Sequence, residues 1–213
     1  MSILFITIGI IFAYLIGSLP TAIWYGKAFF GLDVRDFGSG NAGATNTFRV
    51  MGKRAGIIVM LVDILKGWTA TNSAFFLAYF NLIDHQDLVL YKLFFGLAAV
   101  AGHIFPVYEK FKGGKGVATL LGMILSVQSE AALLCILVFL VVFLIFKYVS
   151  LGSMTSALAF PILLCLPRFS PNQPIVVLFA FALFALVVIT HQKNIVRLLH
   201  GEENKAKIRI RRR

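Results

Sequence analysis

Residues 117–149 read VATLLGMILSVQSEAALLCILVFLVVFLIFKYV, a mostly apolar run interrupted by three consecutive polar residues, Gln128, Ser129 and Glu130. A membrane-spanning helix needs about 20 mostly apolar residues, so the run is too long for one straight span. It forms either one bent helix or two helices joined at the polar triplet. Three adjacent polar residues fit a tight turn at the membrane surface, and we therefore divide the run into two spans there.

Apolar runs of similar length recur along the rest of the 213-residue chain. They predict membrane helices near residues 3–25, 55–80, 89–109, 117–128, 130–149, 151–167 and 174–191. We therefore predict an all-α, polytopic membrane protein with seven transmembrane helices, and six spans is the main alternative. Because seven helices use most of the chain, residues 1–213 are expected to form a single integral membrane domain without a soluble domain.

The composition excludes a water-soluble globule. The chain is 59% hydrophobic and 14% charged, whereas soluble domains contain about 45–50% apolar and about 25% charged residues. So high an apolar content also excludes a disordered chain. Cys135 and Cys165 both lie in apolar runs, so the sequence supports neither a disulfide framework nor a zinc site. We expect no metal and no cofactor.

The positive charge predicts partners and orientation. In so apolar a chain, the formal net charge of +11 favours the lipid bilayer or an anionic substrate over nucleic acid as a partner. Lys and Arg are concentrated in alternate connections and the tail, namely 27–54, 110–116, Lys147 and the residues after 191. The opposite connections, 81–88, 128–130 and 167–173, contain Arg168 alone. Since cytoplasmic loops carry the excess of Lys and Arg, the N-terminus is predicted outside and the C-terminus, with a basic tail at 201–213, in the cytoplasm.

The segment GSGNAGATNTFR at 38–49 is richer in Gly, Asn and Thr than a plain membrane loop requires. It matches G-x-G-x-x-G, but no strand precedes it, so a dinucleotide-binding fold is excluded. Glycines allow successive backbone N–H groups to face one anion. An anion site would be completed by the positive charge of Arg49 and by side-chain hydrogen-bond donors from Ser39, Asn41, Thr45 and Asn46. The alternative is a flexible positively charged loop.

A second polar segment follows the third predicted span. GHIFP at 102–106 contains Pro106, which should kink or end that span. FKGGKGVAT at 111–119 then leads into the fourth span, so we expect the N–H groups of Gly113, Gly114 and Gly116 to be free at a helix start. Lysines at 112 and 115 flank them and predict an anion site. The alternative is a tight turn whose lysines extend to lipid headgroups.

The third polar segment, HQKNIVR at 191–197, closes the last predicted span. If the helix continues, His191, Asn194 and Arg197 share one face. Within the second span, Asp63 and Lys66 either neutralise each other or leave Lys66 to reach a cytoplasmic substrate. The predicted topology puts all three segments on the cytoplasmic side, where we expect them to converge on two anionic groups. Such a site without its own nucleophile suits phosphate chemistry.

Three segments together resemble the signatures of one enzyme family: GSGNAGATNTFR (38–49), GHIFPVYEKFKGGKGVAT (102–119) and HQKNIVRLLHGEEN (191–204). They are similar to those of the bacterial acyl-phosphate-dependent glycerol-3-phosphate acyltransferases, which are small enzymes of the bacterial inner (cytoplasmic) membrane. The resemblance implies seven spans and an active site that faces the cytoplasm. It also implies transfer of a fatty acyl group from acyl phosphate to the 1-hydroxyl of sn-glycerol 3-phosphate, which gives lysophosphatidate and phosphate. The alternative function is an organic-phosphate transporter.

The resemblance suggests a role for each candidate residue. The amides of residues 113–116 with Lys112 and Lys115 would hold the acyl phosphate, beside a floor shaped by Ser39, Asn41, Thr45 and Asn46. Glycerol 3-phosphate would be bound by Arg49, Lys66, Asn194 and Arg197. His191 would orient the attacking hydroxyl or share its proton in a substrate-assisted route, and His103 would be structural. The residues expected to act in catalysis are His191, Ser39, Lys115 and Asn194.

Overall fold

The computed structural model describes residues 2–206, and within that range every regular element is helical. The all-α prediction is therefore confirmed. The chain forms two compact units, Met1–Ser129 and Glu130–Arg213. Of the predicted basic tail, Lys207, Arg209 and Arg211 to Arg213 lie outside the described residues. The division into units does not test the prediction of a single membrane domain, which stays a prediction.

Seven α-helices build the first unit: α1 Ser2–Gly17, α2 Thr21–Phe30, α3 Ala44–Val50, α4 Lys53–Asn72, α5 Ala74–Tyr79, α6 Leu88–Ile104 and α7 Val117–Val127. Short 3-10 turns precede or follow them at Val34–Asp36, His85–Asp87 and Val107–Glu109. Four further helices begin at the boundary of the second unit and continue through it: α8 Ser129–Phe146, α9 Val149–Leu164, α10 Ile175–Thr190 and α11 Gln192–Leu199.

Helix α4 is central to the first unit, where it packs against α1, α3, α6 and α7. Glycines let α4 and α7 approach closely. A Cβ at Gly67 would lie 2.1 Å from the carbonyl oxygen of Thr119, and a Cβ at Gly122 would lie 2.0 Å from that of Ile64. Close backbone contact through small residues is the usual way in which helices associate inside a membrane. This crossing therefore fixes α7, and the loop before it, against α4.

The first predicted span, 3–25, is broken into α1 and α2. Pro20 lies at the break, and proline ends a helix because it lacks an N–H and its ring clashes with the preceding turn. The carbonyl of Leu19, next to the break, accepts a hydrogen bond from Lys66 Nζ at 2.8 Å. A lysine inside the unit thus satisfies a backbone group at the break.

The predicted division of residues 117–149 is confirmed, because α7 ends at Val127 and α8 begins at Ser129. The count of spans is not settled by the helices alone. Among the described residues, three helical stretches are long and apolar enough to cross a membrane: Ser2–Phe30, His85–Glu109 and Ser129–Phe146. A fourth is added if the bent pair Ile175–Thr190 and Gln192–Leu199 is one span. Seven spans stay a prediction.

In the second unit the last predicted span does not continue as one straight helix. Helices α10 and α11 meet at His191 with a bend of 63°. His191 ends α10, and α11 carries Asn194 and Arg197 away along a new direction. The condition for one face shared by all three residues, a helix that continues through His191, is therefore not met.

Candidate active site

Asn46 organises the first glycine-rich loop, residues 37–43. Its side chain is 1% exposed and uses both amide hydrogens, which it donates to the carbonyls of Val34 at 2.8 Å and Phe37 at 3.0 Å. Its oxygen accepts the backbone N–H of Ser39 at 2.9 Å. Asn46 therefore shapes this loop, and the expectation that it donates to an anion is wrong.

Two backbone N–H groups of the same loop already have hydrogen-bond partners. The N–H of Gly40 donates to the Phe37 carbonyl at 3.1 Å, and that of Ser39 is held by Asn46. Gly38 and Gly40 have φ angles of +63° and +72°, which glycine adopts readily. Ser39, in the tight turn that they form, is exposed, and so are Thr45 and Arg49 on α3. These side chains, rather than the amides of 39 and 40, are available to a ligand.

Residues 112–116 form a second loop, called the glycine loop below. The N–H of Gly113 donates to the Ile104 carbonyl and that of Gly114 donates to the His103 carbonyl, both at 3.1 Å. The expectation that these two amides are free is therefore wrong, because they fasten the loop to the end of α6. Gly116, with φ +81°, is the N-cap of α7. The amides that lack intrahelical partners are those in the first turn of α7, from Val117 onward.

The two loops lie against each other in the first unit. The carbonyl oxygen of Ala42 lies 3.1 Å from the position that a Cβ on Gly114 would occupy. Arg35, on the turn before the first loop, donates from Nη1 to the carbonyl of Lys112 at 3.3 Å. Two of the three polar segments singled out in the sequence are thus in direct contact.

A network of charges joins the turns beside these loops. Arg35 Nη2 lies 2.6 Å from Asp33 and 2.8 Å from Glu109, and Lys27 lies 3.4 Å from Glu109. The hydrogen bond from the Arg35 side chain lowers the pKa of the Asp33 carboxyl below its ordinary value. An open groove of about 530 Å³ is lined by these residues and by Asp36, Tyr108, Lys110 and Lys112. This network was not predicted from the sequence.

Asp63 and Lys66 form a buried ion pair on α4. Lys66 Nζ lies 2.9 Å from Asp63 Oδ1, and both side chains are almost completely buried. Their mutual neutralisation, one of the two alternatives from the sequence, is therefore present. The assignment of Lys66 to glycerol 3-phosphate stays a prediction.

Glu203 is the centre of a polar cluster in the second unit. Its Oε1 accepts hydrogen bonds from Ser150 Oγ at 2.7 Å and Asn194 Nδ2 at 2.6 Å, and its Oε2 accepts one from Arg197 Nε at 2.8 Å. Asn194 and Arg197 lie on the same face of α11, since one carboxylate bonds both. Sequence reasoning missed Glu203 as a site residue. The available signal was a carboxylate in a basic tail, within the segment 191–204.

His191, at the bend between α10 and α11, is 3% exposed. Its Nδ1 lies 2.8 Å from the carbonyl oxygen of Val187. A carbonyl only accepts, so Nδ1 carries the proton of this hydrogen bond. In the neutral imidazole Nε2 is then the acceptor nitrogen. This tautomer suits a group that accepts a proton from a hydroxyl.

The environment of Glu203 sets its ionisation. Burial acts to raise the pKa of the Glu203 carboxyl, but the hydrogen bonds from Arg197, Ser150 and Asn194 outweigh it, so the pKa lies below its ordinary value. At neutral pH Glu203 is therefore ionised and accepts the hydrogen bonds from Asn194 and Arg197 of α11.

The lowered pKa of Glu203 predicts a pH-dependent stability. The carboxylate stabilises the fold fully above its ordinary pKa of 4.5, and this stabilisation is lost as the pH falls from there through the lower folded-state pKa. We expect the difference in thermal unfolding midpoint between wild type and Glu203→Gln to be constant from about pH 7 to about pH 5 and to shrink below about pH 4.5. Circular dichroism of the detergent-solubilised protein measures it. A difference that is unchanged at about pH 3.5 contradicts the prediction.

The arrangement favours binding of anions. In the first unit, exposed Arg49 and Lys112 lie beside the two loops. In the second unit, Asn194 and Arg197 bond Glu203, and His191 lies at the bend before α11. Among residues 2–206 no three His, Cys, Asp or Glu side chains are grouped so as to hold a metal ion. The side chains provide positive charge, hydrogen-bond donors and one imidazole acceptor, which are the requirements for positioning phosphate groups.

Comparisons with known proteins agree with this chemistry. A relative from Listeria monocytogenes serotype 4a, named glycerol-3-phosphate acyltransferase, is 46% identical over 197 residues, which cover 92% of this chain and 93% of the relative. One of the same name from Enterococcus faecalis is 41% identical and covers 97% of this chain and 94% of its own length.

Two solved structures are similar over nearly the whole chain. Both are of PlsY (YgiH), described as an integral membrane glycerol 3-phosphate acyltransferase. The glycerol 3-phosphate form is 38% identical with a TM-score of 0.83, and covers 95% of this chain and 96% of PlsY. The lysophosphatidic acid form is 36% identical with a TM-score of 0.80, and covers 95% of each chain. Because the family model for glycerol-3-phosphate acyltransferase also matches residues 7–201, this chain belongs to the glycerol-3-phosphate acyltransferase family.

Proposed function

We propose that the protein transfers a fatty acyl group from acyl phosphate to the 1-hydroxyl of sn-glycerol 3-phosphate and releases lysophosphatidate and phosphate. The observation that carries the proposal is the contact between the two glycine-rich loops, in a chain whose family match spans residues 7–201. An acyl phosphate is an activated mixed anhydride, so the reaction needs no nucleophile from the protein. The protein has to hold two phosphate groups and position one hydroxyl.

The glycine loop and the start of α7 bind the acyl phosphate. With the amides of Gly113 and Gly114 occupied, the first-turn amides of α7 supply backbone donors, and the positive end of the helix dipole favours the anion. Lys112 and Lys115 supply charge, and Ser39, Asn41 and Thr45 form the neighbouring wall. Ser39 and Lys115 contact the phosphate group while the acyl group is transferred from it.

The residues assigned to glycerol 3-phosphate are Arg49, Lys66, Asn194 and Arg197. His191 orients the 1-hydroxyl and accepts its proton through Nε2, or shares that proton with a substrate phosphate. The Val187 carbonyl supports this role because it holds His191 in the required tautomer. Glu203 orients Asn194 and Arg197 through its hydrogen bonds.

A transport function has no support from the relatives. The family model and both PlsY structures are of acyltransferases. The reaction itself is the decisive test. Purified protein in lipid vesicles, given acyl phosphate and glycerol 3-phosphate, is expected to form lysophosphatidate and phosphate in equal amounts. Formation of neither product, by protein with a normal unfolding transition, contradicts the proposal.

We also propose seven spans in the bacterial inner membrane, with the N-terminus outside and the loops at 38–49 and 112–116 facing the cytoplasm. The distribution of Lys and Arg supports this orientation. Single cysteines test it after the native Cys135 and Cys165 are replaced by Ala. In intact cells, a membrane-impermeant thiol reagent is expected to label Asp84→Cys and to leave Lys110→Cys unlabelled. The opposite labelling pattern would reverse the proposed topology.

A further inference from the structure

Asp63 lies at the centre of a buried cluster in the first unit, formed with Thr21, Lys66 and His103. Its Oδ1 lies 3.0 Å from Thr21 Oγ1, 2.9 Å from Lys66 Nζ and 3.7 Å from His103 Nδ1. Asp63 is 1% exposed and His103 is 7% exposed. The cluster therefore joins the start of α2, the middle of α4 and the end of α6.

The opposite edge of the His103 ring lies against the glycine loop. His103 Nε2 is 2.3 Å from the position that a Cβ on Gly114 would occupy, so the ring fills the space beneath this glycine. The carbonyl of His103 also accepts the N–H of Gly114. The imidazole thus lies between the buried carboxylate of Asp63 and the loop that carries Lys112 and Lys115.

We propose that His103 is a positioning residue for the phosphate that the glycine loop binds. This inference deepens the proposed function and depends on it. A loop with three glycines has many conformations, and ordering it on binding weakens affinity unless the fold orders it beforehand. The buried ring of His103, which lies between Asp63 and Gly114, supports the loop from below. Its loss therefore acts on KM for acyl phosphate more than on kcat.

The first experiment compares two variants that each remove one side chain that lies beside Asp63. His103→Ala is expected to raise KM for acyl phosphate by about tenfold and to change kcat by less than about threefold. Thr21→Val is the matched control, because it removes a neighbour of the same carboxylate but not the contact with Gly114. It is expected to leave both KM values unchanged. Equal KM changes in the two variants would show a merely structural cluster and overturn the inference.

Two conservative variants distinguish the role of the Nε2 edge of the ring from that of the Nδ1 edge. They keep the test valid even if His103→Ala does not fold. The amide of Gln reaches about as far as Nε2, whereas that of Asn reaches only about as far as Nδ1. His103→Gln is expected to keep KM within about threefold of wild type, while His103→Asn raises it about as much as Ala does. Thermal unfolding midpoints measured alongside show whether stability follows KM. If KM is the same in the Gln and Asn variants, the supporting edge is not the one proposed.

A double-mutant cycle tests the contact itself. Gly114→Ala is expected to raise the same KM because its methyl group meets the ring, whereas in His103→Ala it adds little, so the two effects are not multiplicative. Gly113→Ala is the control for this cycle. Its Cβ would lie 2.0 Å from the main-chain oxygen of His103, which no side-chain change removes, so its effect should be the same with and without His103→Ala. If Gly114→Ala raises KM and no change at His103 does, the inference fails and the phosphate role of the loop stands. If neither position affects either KM, the proposed role of the loop fails as well.

Discussion

Arg49→Ala is expected to lower kcat/KM for glycerol 3-phosphate by about 10-fold to 150-fold, because a hydrogen bond to a charged group contributes about 1.5–3 kcal/mol. Arg49 lies in the last turn of α3, directly after the loop that Asn46 organises, and its side chain is exposed. Within residues 2–206 no carboxylate pairs with Arg49, in contrast to Arg35 and Arg197. Its charge is therefore available to a substrate phosphate.

Because Arg49 is exposed, its replacement should leave the fold intact. Thermal unfolding of Arg49→Ala is expected to match wild type within about 0.5 kcal/mol, the usual range for surface substitutions. Arg54→Ala is the matched control, since this arginine is also exposed, lies in the first turn of α4 and has no assigned role. Steady-state kinetics in lipid vesicles should show normal turnover for Arg54→Ala. Normal turnover of well-folded Arg49→Ala would remove Arg49 from the site.

Glu203→Ala is expected to destabilise the second unit by about 3 kcal/mol and to abolish activity. The carboxylate accepts from Ser150, Asn194 and Arg197, and its side chain is 7% exposed. Its removal leaves three donors without their acceptor, and an unsatisfied buried polar group is costly. Arg197 is 32% exposed, so water replaces part of the hydrogen bond that it loses in Glu203→Ala. The expected loss of stability is therefore smaller than for a fully buried ion pair.

Glu202→Ala provides the control for this effect. Glu202 is adjacent, carries the same charge and is exposed, so its loss should change the unfolding midpoint little. Glu203→Gln retains one oxygen acceptor and is expected to fall between wild type and Glu203→Ala. Chemical unfolding in detergent, followed by circular dichroism, measures all three. Equal stability of Glu202→Ala and Glu203→Ala would contradict the central role of Glu203.

The candidate site was predictable where residue type alone carries the chemistry. Glycines beside lysines at 112–116, and Ser, Asn and Arg in 38–49, indicate anion binding in any fold. The use of each backbone N–H was not predictable. Gly113 and Gly114 looked free because they precede a helix, yet their amides are taken by carbonyls at the end of α6. That partnership depends on how the chain turns at Pro106, which local sequence does not determine.

The chain's own sequence determined that the protein is helical and belongs in a membrane, because apolar content and the spacing of polar breaks act locally along the chain. It also determined the break at Gln128 and the residue types of an anion site. Only the tertiary structure decided that Asn46 holds a loop and that Glu203 joins Ser150, Asn194 and Arg197. It alone placed His103 between Asp63 and Gly114. The physical reason is that a hydrogen bond needs its two groups within about 3 Å, a condition that residues far apart in sequence meet only through packing.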